Sequence, residues 1–312
     1  MDTSEVAVTT EASAGHAEPP RRLPHVKEAF QELLRQDPGK TAVIDDRGHR
    51  LTRAELRDLA DAIGGEMRAR GLAPGDVVLI AMPNWTEWLA VHLAAVRADL
   101  IPATAPVTSD PGHLAYTAQL VGAKALVCPA RHRGRDFATE TKQVAEQLGR
   151  RLHVLLIEGD QEQRTWADFT GPEPSTPELP PGTAHILFSS STTGHPKAIA
   201  HSEDSFAAYN QGVIERYCVT GARSIFMPSP LGHSTGFWHG VRMSILTGAE
   251  LVIQDRWDPG ARWSSWHGTG ARSPWPPLPS WSISSTRSGI RRSRSSPTWR
   301  SSCAVVRRSH PS

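Results

Sequence analysis

The sequence predicts a layered α/β architecture, with mostly parallel sheets flanked by helices. Three observations predict it. Short apolar runs alternate with segments of helical periodicity, the pattern of parallel strands joined by crossover helices. Residues 77–82 are apolar throughout, which suits a strand covered on both faces. No repeat of 20–50 residues is visible, which argues against a solenoid or a propeller. A chain of 312 residues with 38% hydrophobic content and a mean hydropathy of -0.37 has enough apolar surface for a core, in one large or two ordinary domains.

The elements follow in order. Residues 1–22 are rich in Ala, Thr, Glu and Pro with no apolar run, and read as a disordered tail rather than a signal peptide. Val26, Phe30, Leu33 and Leu34 have helical spacing. Residues 41–45 and 50–51 read as two strands across an Asp-Asp-Arg-Gly turn. Thr52 and Glu55 stand at capping-box spacing before Leu56, Leu59, Ile63 and Met67, and the helix they open stops near Gly71. A strand at 77–82 precedes a helix at 85–96, in which Trp85 and Trp88 are expected in the core. Strands follow at 100–107, 123–128 and 152–158, with a polar helix at 137–148. Residues 161–181 are a Pro-rich polar connector. Then come a strand at 185–188, a helix at 202–215, a strand at 224–228, a helix at 238–246 and a strand at 249–254.

No run of about 18 apolar residues is present, so no membrane span is expected. Cys128, Cys218 and Cys303 lack metal-ligand spacing and read as buried thiols of a reducing compartment, with a cytoplasmic location expected. The net charge of +2 conceals an asymmetry. Residues 261–312 hold nine arginines and no acid, leaving 25 Lys and Arg against all 32 Asp and Glu in residues 1–260.

The densest chemical signal is Ser189, Ser190, Ser191, Thr192, Thr193, Gly194, His195, Pro196 and Lys197, directly after an apolar strand. Hydroxyls, backbone N–H groups and a lysine in that order suit a loop wrapped around a polyphosphate. The spacing is not that of a Walker A loop. The stretch resembles the phosphate loop of the AMP-forming acyl-CoA synthetases and related adenylating enzymes, T-S-G-T-T-G-x-P-K-G. Ser191 and Ala198 stand where that pattern has glycine. Ser191 adds a Cβ, which restricts close backbone approach if the position needs positive φ.

Three further segments are similar to the same family. Residues 45–59 look like its G-x-x-x-T-Y-x-E-L segment, residues 70–78 like R-G-V-x-P-G-D-x-V, and Pro83-Asn84-Trp85 like its lead-in to a helix. The resemblance covers residues 25–258 and implies the large N-terminal domain of an adenylating enzyme, with its C-terminal domain absent. It implies that Ser189, Ser190, Ser191, Thr192, Thr193, Gly194 and Lys197 bind the ATP phosphates. Residues 230–237 resemble the family's next motif, so His233 and Gly236 are implied in the acyl/adenylate pocket; the plainer reading of His233 is a capping or packing histidine. His201 is read as structural, and no metal site is read from the residues. The implied partners are a small-molecule carboxylic acid, ATP with Mg2+, and coenzyme A, with no nucleic acid. The implied activity is acid–CoA ligation, closest in look to ligases of short or medium aliphatic and alicyclic acids. An adenylation domain that loads a carrier protein is the alternative within the family.

The organisation expected is therefore a disordered tail at 1–22, a partial N-terminal AMP-binding domain at 23–258 and an anomalous, disordered Arg/Ser/Trp-rich segment at 259–312. The last 52 residues contain 15 Ser, six Pro and five Trp, without Lys, Asn, Gln, Phe, Tyr or Met, and no periodicity supports a helix or strand there. A non-catalytic binding protein whose basic tail contacts nucleic acid is one reading. An out-of-frame translation is the other. With GC-rich codons, and each new codon started at the third base of the old one, residues 263–267 can read V-E-L-V-A. Residues 273–285 can read F-T-M-A-A-T-P-F-L-V-D-L-L, and residues 302–311 can read L-C-G-G-A-P-I-P-P, similar to the family's nucleotide-binding G-G-A-P segment. The expectation is a frameshift near residues 259–262, true or from sequencing. The polypeptide as written is then expected to be inactive and unstable.

Overall fold

The structure is a computed structural model that describes residues 23–159, 163–175, 177–189, 196–217, 219–256 and the backbone of 304–307. The expected tail at 1–22, most of the Ser/Thr-rich loop, Cys218, Cys303 and nearly all of 259–312 lie outside the described residues.

In chain order, helix α1 (Val26–Gln36) leads into strands β1 (Thr41–Ile44) and β2 (Arg50–Thr52) and helix α2 (Arg53–Ala69). Strand β3 (Val77–Ile80), helix α3 (Thr86–Arg97), strand β4 (Ile101–Thr104) and helix α4 (Pro111–Leu120) follow. Next come β5 (Ala125–Pro129), the small hairpin of β6 (Arg131–His132) and β7 (Arg135–Asp136), helix α5 (Phe137–Leu148), β8 (Leu152–Ile157) and β9 (Arg164–Phe169). The last part holds β10 (Thr183–Phe188), β11 (Ala198–Ser202), α6 (Glu203–Tyr217) and β12 (Arg223–Met227). It continues through α7 (Ser234–Gly236), a π-helical turn (Phe237–Arg242), α8 (Met243–Thr247), β13 (Glu250–Ile253) and β14 (Ala304–Arg307).

These strands build two main sheets. The seven-stranded sheet runs β11-β10-β4-β3-β5-β8-β9, with its five central strands parallel and both edge strands antiparallel. The other runs β14-β12-β13-β1-β2, parallel through β12, β13 and β1 and antiparallel at both edges. The predicted layered α/β fold is what forms. Alternation along β3 shows how the layers join: Val77 and Leu79 enter one core with α4 and α5, while Val78 and Ile80 enter the other with α1, α2 and α3. Helix α3 lies between the two sheets, touching β1, β3 and β4, and is apolar nearly all round as that position demands. It meets α2 at Gly64, where an added Cβ would stand 3.3 Å from the Ala94 carbonyl oxygen.

The capping box forms as expected: Thr52 Oγ accepts from the Glu55 N–H at 3.2 Å and the Glu55 carboxylate accepts from the Thr52 N–H at 2.7 Å, which holds the Glu55 carboxyl below its usual pKa. Trp85 and Trp88 are buried, Trp85 as the residue preceding α3 rather than within it.

Five features depart from the sequence reading. The connector at 161–181 contains β9, paired antiparallel with β8; its Trp166 indole donates to Glu66 at 2.8 Å. A strand, β11, precedes α6, because the phosphate-loop strand turns back on itself as a hairpin. Helix α4, unread in the sequence, starts at Asp110, whose carboxylate accepts the His113 N–H at 2.8 Å, with Pro111 at the first helical position. The helix expected at 238–246 begins at Ser234 and runs through a π-helical turn. Ala304–Arg307 of the anomalous segment forms a strand against β12 where none was expected, since an open edge offers main-chain pairing that composition does not reveal.

Candidate functional site

In an open parallel sheet, ligands bind beyond the carboxyl ends of the strands. Two of the predicted segments leave from such ends. The Ser/Thr-rich loop connects β10 to β11, and its base is closed by the strand pairing Phe188–Ala198 and by the Ser189 N–H donating to the Lys197 carbonyl at 3.0 Å. The Lys197 N–H lies 3.4 Å from Ser189 Oγ, its acceptor. Lys197 is exposed and Pro196 buried; the Tyr116 hydroxyl of α4 donates to the Pro196 carbonyl at 3.5 Å. Ser190, Ser191, Thr192, Thr193 and Gly194 lie outside the described residues, so of the implied phosphate ligands only Ser189 and Lys197 have a described position.

The second segment follows β12. Thr104, at the end of β4 and therefore beside β10, donates its hydroxyl to the Gly232 carbonyl at 3.0 Å. Asn84 fixes the same stretch from the end of β3. Its amide donates to the Ser229 and Gln254 carbonyls at 2.9 and 3.0 Å, and its oxygen accepts the Leu231 N–H at 2.8 Å. His233 is exposed and has extended backbone; its Nδ1 accepts from the Thr235 N–H at 3.4 Å, capping the short α7. Gly236 is buried with its Cα hydrogens against the preceding loop: a Cβ there would stand 2.2 Å from the Pro230 carbonyl oxygen. Its residue type follows from that packing.

Beneath these loops lies a group that the sequence reading missed. His92 of α3 and His185 of β10 are 2% and 1% exposed, with ring centroids 5.5 Å apart. His185 stacks on Phe237 at 4.0 Å, and His92 meets Phe237 edge-on at 5.2 Å. Neither nitrogen of His92 nor Nδ1 of His185 has a hydrogen-bond partner. Burial, aided by the nearby Arg242 guanidinium, lowers the His92 pKa to about 3. Burial, then His92 and Arg242, lowers that of His185 well below the usual value. Arg242, 1% exposed, donates to both Glu203 carboxylate oxygens at 2.9 and 3.0 Å and to Asn210 at 3.0 Å, locking the π-helical turn to α6. A histidine inside the apolar run of β10 was the available signal. His201 stacks on Phe206 at 4.8 Å and its pKa is lowered by burial, in keeping with a packing role.

Asp45, His49 and Glu87 are grouped closely enough to hold a metal ion. Arg47 already occupies that place: its Nη2 donates to Asp45 at 2.5 Å and to Glu87 at 2.7 Å. The group is an ion-pair network that fastens the β1–β2 turn to α3. The Cys128 thiol is buried and its pKa pushed up by burial, so it is no nucleophile.

Two loops are thus anchored on adjoining strand ends of a mixed α/β sheet. The profile of the AMP-binding enzyme family matches residues 30–269. The chain belongs to the AMP-binding enzyme family. It is similar to a medium-chain fatty-acid–CoA ligase of Escherichia coli, 27% identical over 247 residues that are 74% of this chain and 42% of the relative. It is also similar to a salicyl-AMP ligase / salicyl-S-ArCP synthetase of Mycobacterium tuberculosis, 30% identical over 212 residues, 64% of this chain and 36% of the relative. Among solved structures, ATP-bound MatB from Rhodopseudomonas palustris shares the fold with a TM-score of 0.60 and 22% identity, over 76% of this chain and 46% of that one. The chain thus spans about two-fifths of the length of the curated relatives it matches. Among the described residues, no helix is long and apolar enough to cross a membrane.

Proposed function

We infer that the chain carries the phosphate-loop part of an AMP-forming carboxylic acid–CoA ligase. The supporting observation is the β10–β11 hairpin, which presents a Thr-Thr-Gly-x-Pro-Lys loop at the carboxyl end of the parallel sheet in a member of the AMP-binding family. In the first step an acid carboxylate attacks the α-phosphorus of ATP, the bond to the β-phosphate oxygen breaks, and pyrophosphate leaves. In the second, the coenzyme A thiol gives up its proton and displaces AMP from the acyl-adenylate. The nucleophile of the first step is already anionic, so what the protein supplies is positioning and charge neutralisation. Ser189 to Gly194 hold the β- and γ-phosphates and Lys197 adds positive charge beside them. His233 and Gly236 border the acyl end, His233 through its exposed ring and Gly236 by letting α7 approach the Pro230 loop. Bound Mg2+ would add further neutralisation at the phosphates, with its ligands drawn largely from the substrate.

Loading of a carrier protein is the second reading, favoured by the 30% identity to the salicyl-S-ArCP synthetase. In either reading the Arg/Ser/Trp-rich segment after residue 258 is an out-of-frame product and the 312-residue chain is inactive. Resequencing the gene across the codons for residues 250–270 and downstream tests this: an added or missing base restores a ligase frame, and an unchanged sequence whose shifted frame does not read on through L-C-G-G-A-P-I-P-P refutes the frameshift. The frame-restored protein is then assayed for acid-dependent pyrophosphate–ATP exchange. Its absence over a panel of short, medium and alicyclic acids refutes the ligase reading, and transfer to a carrier protein instead of coenzyme A selects the second.

A further inference from the structure

At the opposite end of the seven-stranded sheet, where its parallel strands begin, lies a cavity of about 80 Å³. It is bordered by the end of α2 and the starts of β5 and β8. Three cations reach it: Arg70 after α2, Lys124 just before β5 and Arg151 just before β8, with His153 beside them. Each cation now leans on an acid. Lys124 Nζ lies 2.7 Å from Asp76, and Arg70 Nε 3.3 Å from Asp168, to which His153 Nδ1 also points at 2.8 Å. The Arg70 guanidinium carbon lies over the Trp166 ring, 4.1 Å from its centroid, and the buried Nε makes no hydrogen bond despite the nearby carboxylate. The third acid, Glu173, lines the cavity from the segment after β9 and pairs with Arg151. That segment is tied down by the Arg151 N–H, which donates to the Pro172 carbonyl at 2.8 Å.

The three acids are not equivalent. The Asp76 side chain is 11% exposed and is bonded besides to the Ala73 N–H at 2.8 Å, so it is a fixed part of the wall. The Glu173 side chain is 59% exposed, and its partner Arg151 49%. An exposed ion pair contributes little and opens readily. With Glu173 swung into solvent, Arg70, Lys124 and Arg151 face a space with room for two or three waters or one small oxyanion. Converging guanidinium and ammonium donors are the groups that hold phosphoryl oxygens.

We propose that Arg70, Lys124 and Arg151 form a binding site for a small oxyanion, a phosphate or a phosphate monoester, for which the Glu173 carboxylate is the resident competitor. The site is separate from the phosphate loop and independent of the ligase reading.

The test uses the 312-residue chain with Lys197→Ala, so that the loop does not contribute, titrated at constant ionic strength with inorganic phosphate and, separately, with glycerol 3-phosphate. Binding is read by calorimetry. Saturable one-to-one binding is expected, tightened up to about fivefold by Glu173→Gln, the effect of removing an exposed pair. Arg151→Gln weakens it by about tenfold or more, as loss of a charge-assisted contact does. Equal binding of both probes assigns the site to the phosphoryl group of a larger molecule, and binding of phosphate alone assigns it to the free ion. No saturable binding of either probe, or affinities unmoved by both variants, overturns the proposal. Because Glu173→Gln is expected to gain affinity, a folding defect cannot imitate the result.

Discussion

Lowering the pH should destabilise this protein through two side chains in its interior. His92 and His185 are neutral in the folded chain, because burial holds their pKa values below the ordinary 6.5, to about 3 for His92. The unfolded chain releases them to water, where they protonate near pH 6.5. Their folded pKa values are depressed, so the unfolded state binds more protons as pH falls. Stability is therefore full above about pH 7, and is lost progressively below the unfolded value until the folded values are reached. The size follows from the unfolded pKa alone once both folded values lie well below the working pH. Between pH 7.5 and 5.5 each histidine removes about 1.4 kcal/mol, and the pair about 2.7 kcal/mol. Urea unfolding of the chain at both pH values measures the total, to which His132, His201 and His239, also lowered by burial, add their own shares. The double variant His92→Phe/His185→Phe isolates the pair: their three unpartnered nitrogens are replaced by ring edges in a site already lined by Trp88, Phe206 and Phe237. Its loss over the same interval should be smaller by about 2.7 kcal/mol. Equal losses in the variant and the parent chain would refute the reasoning.

Three other outcomes are expected. Gly236→Ala forces a methyl to within 2.2 Å of the Pro230 carbonyl oxygen, and thermal denaturation should show a loss of at least about 1–3 kcal/mol, the usual scale of overpacking. Glu203→Gln leaves the buried Arg242 charge without its carboxylate and should cost about 3–5 kcal/mol in urea unfolding, while the pair replacement Glu203→Gln/Arg242→Met should cost less than the sum of the two single changes. In the frame-restored ligase, Lys197→Ala should lower kcat for adenylate formation by about 10²–10³-fold, the scale of a lost charge-stabilising donor, with thermal stability unchanged because the side chain is exposed.

Where the amino acids speak through local geometry, the sequence was legible. The Thr52–Glu55 box, the Phe137–Leu148 helix and the wholly apolar β3 were read closely, because capping spacing, helical periodicity and two-sided burial leave local traces. The edge strands β9 and β11 were not. Each exists because an apolar strand next to it offers a free ladder, a property of the neighbour rather than of the segment. Helix α4 had a local mark in Asp110-Pro111, which went unread beside the weak periodicity of the residues that follow. The candidate site shows the same division. The order of residues 189–197 is what suggests a polyphosphate loop, and most of that stretch lies outside the described residues, while the capping alternative for His233 matches the bond its ring makes. The His92–His185 group joins residues far apart in the chain through stacking on Phe237, which no linear pattern encodes.

Asn84 carries a consequence for motion. Its one side chain spends three hydrogen bonds, two to carbonyls of separate loops and one to an amide, so the end of β3 is riveted to the stretches that follow β12 and β13. A backbone hinge between residues 229 and 231 would have to break bonds buried among both sheets. Movement at this stretch is left to side-chain rotation, with the exposed His233 ring the part able to turn. This end of the sheet should therefore behave as a stiff frame in hydrogen exchange, its Leu231 amide exchanging as slowly as the strands it joins.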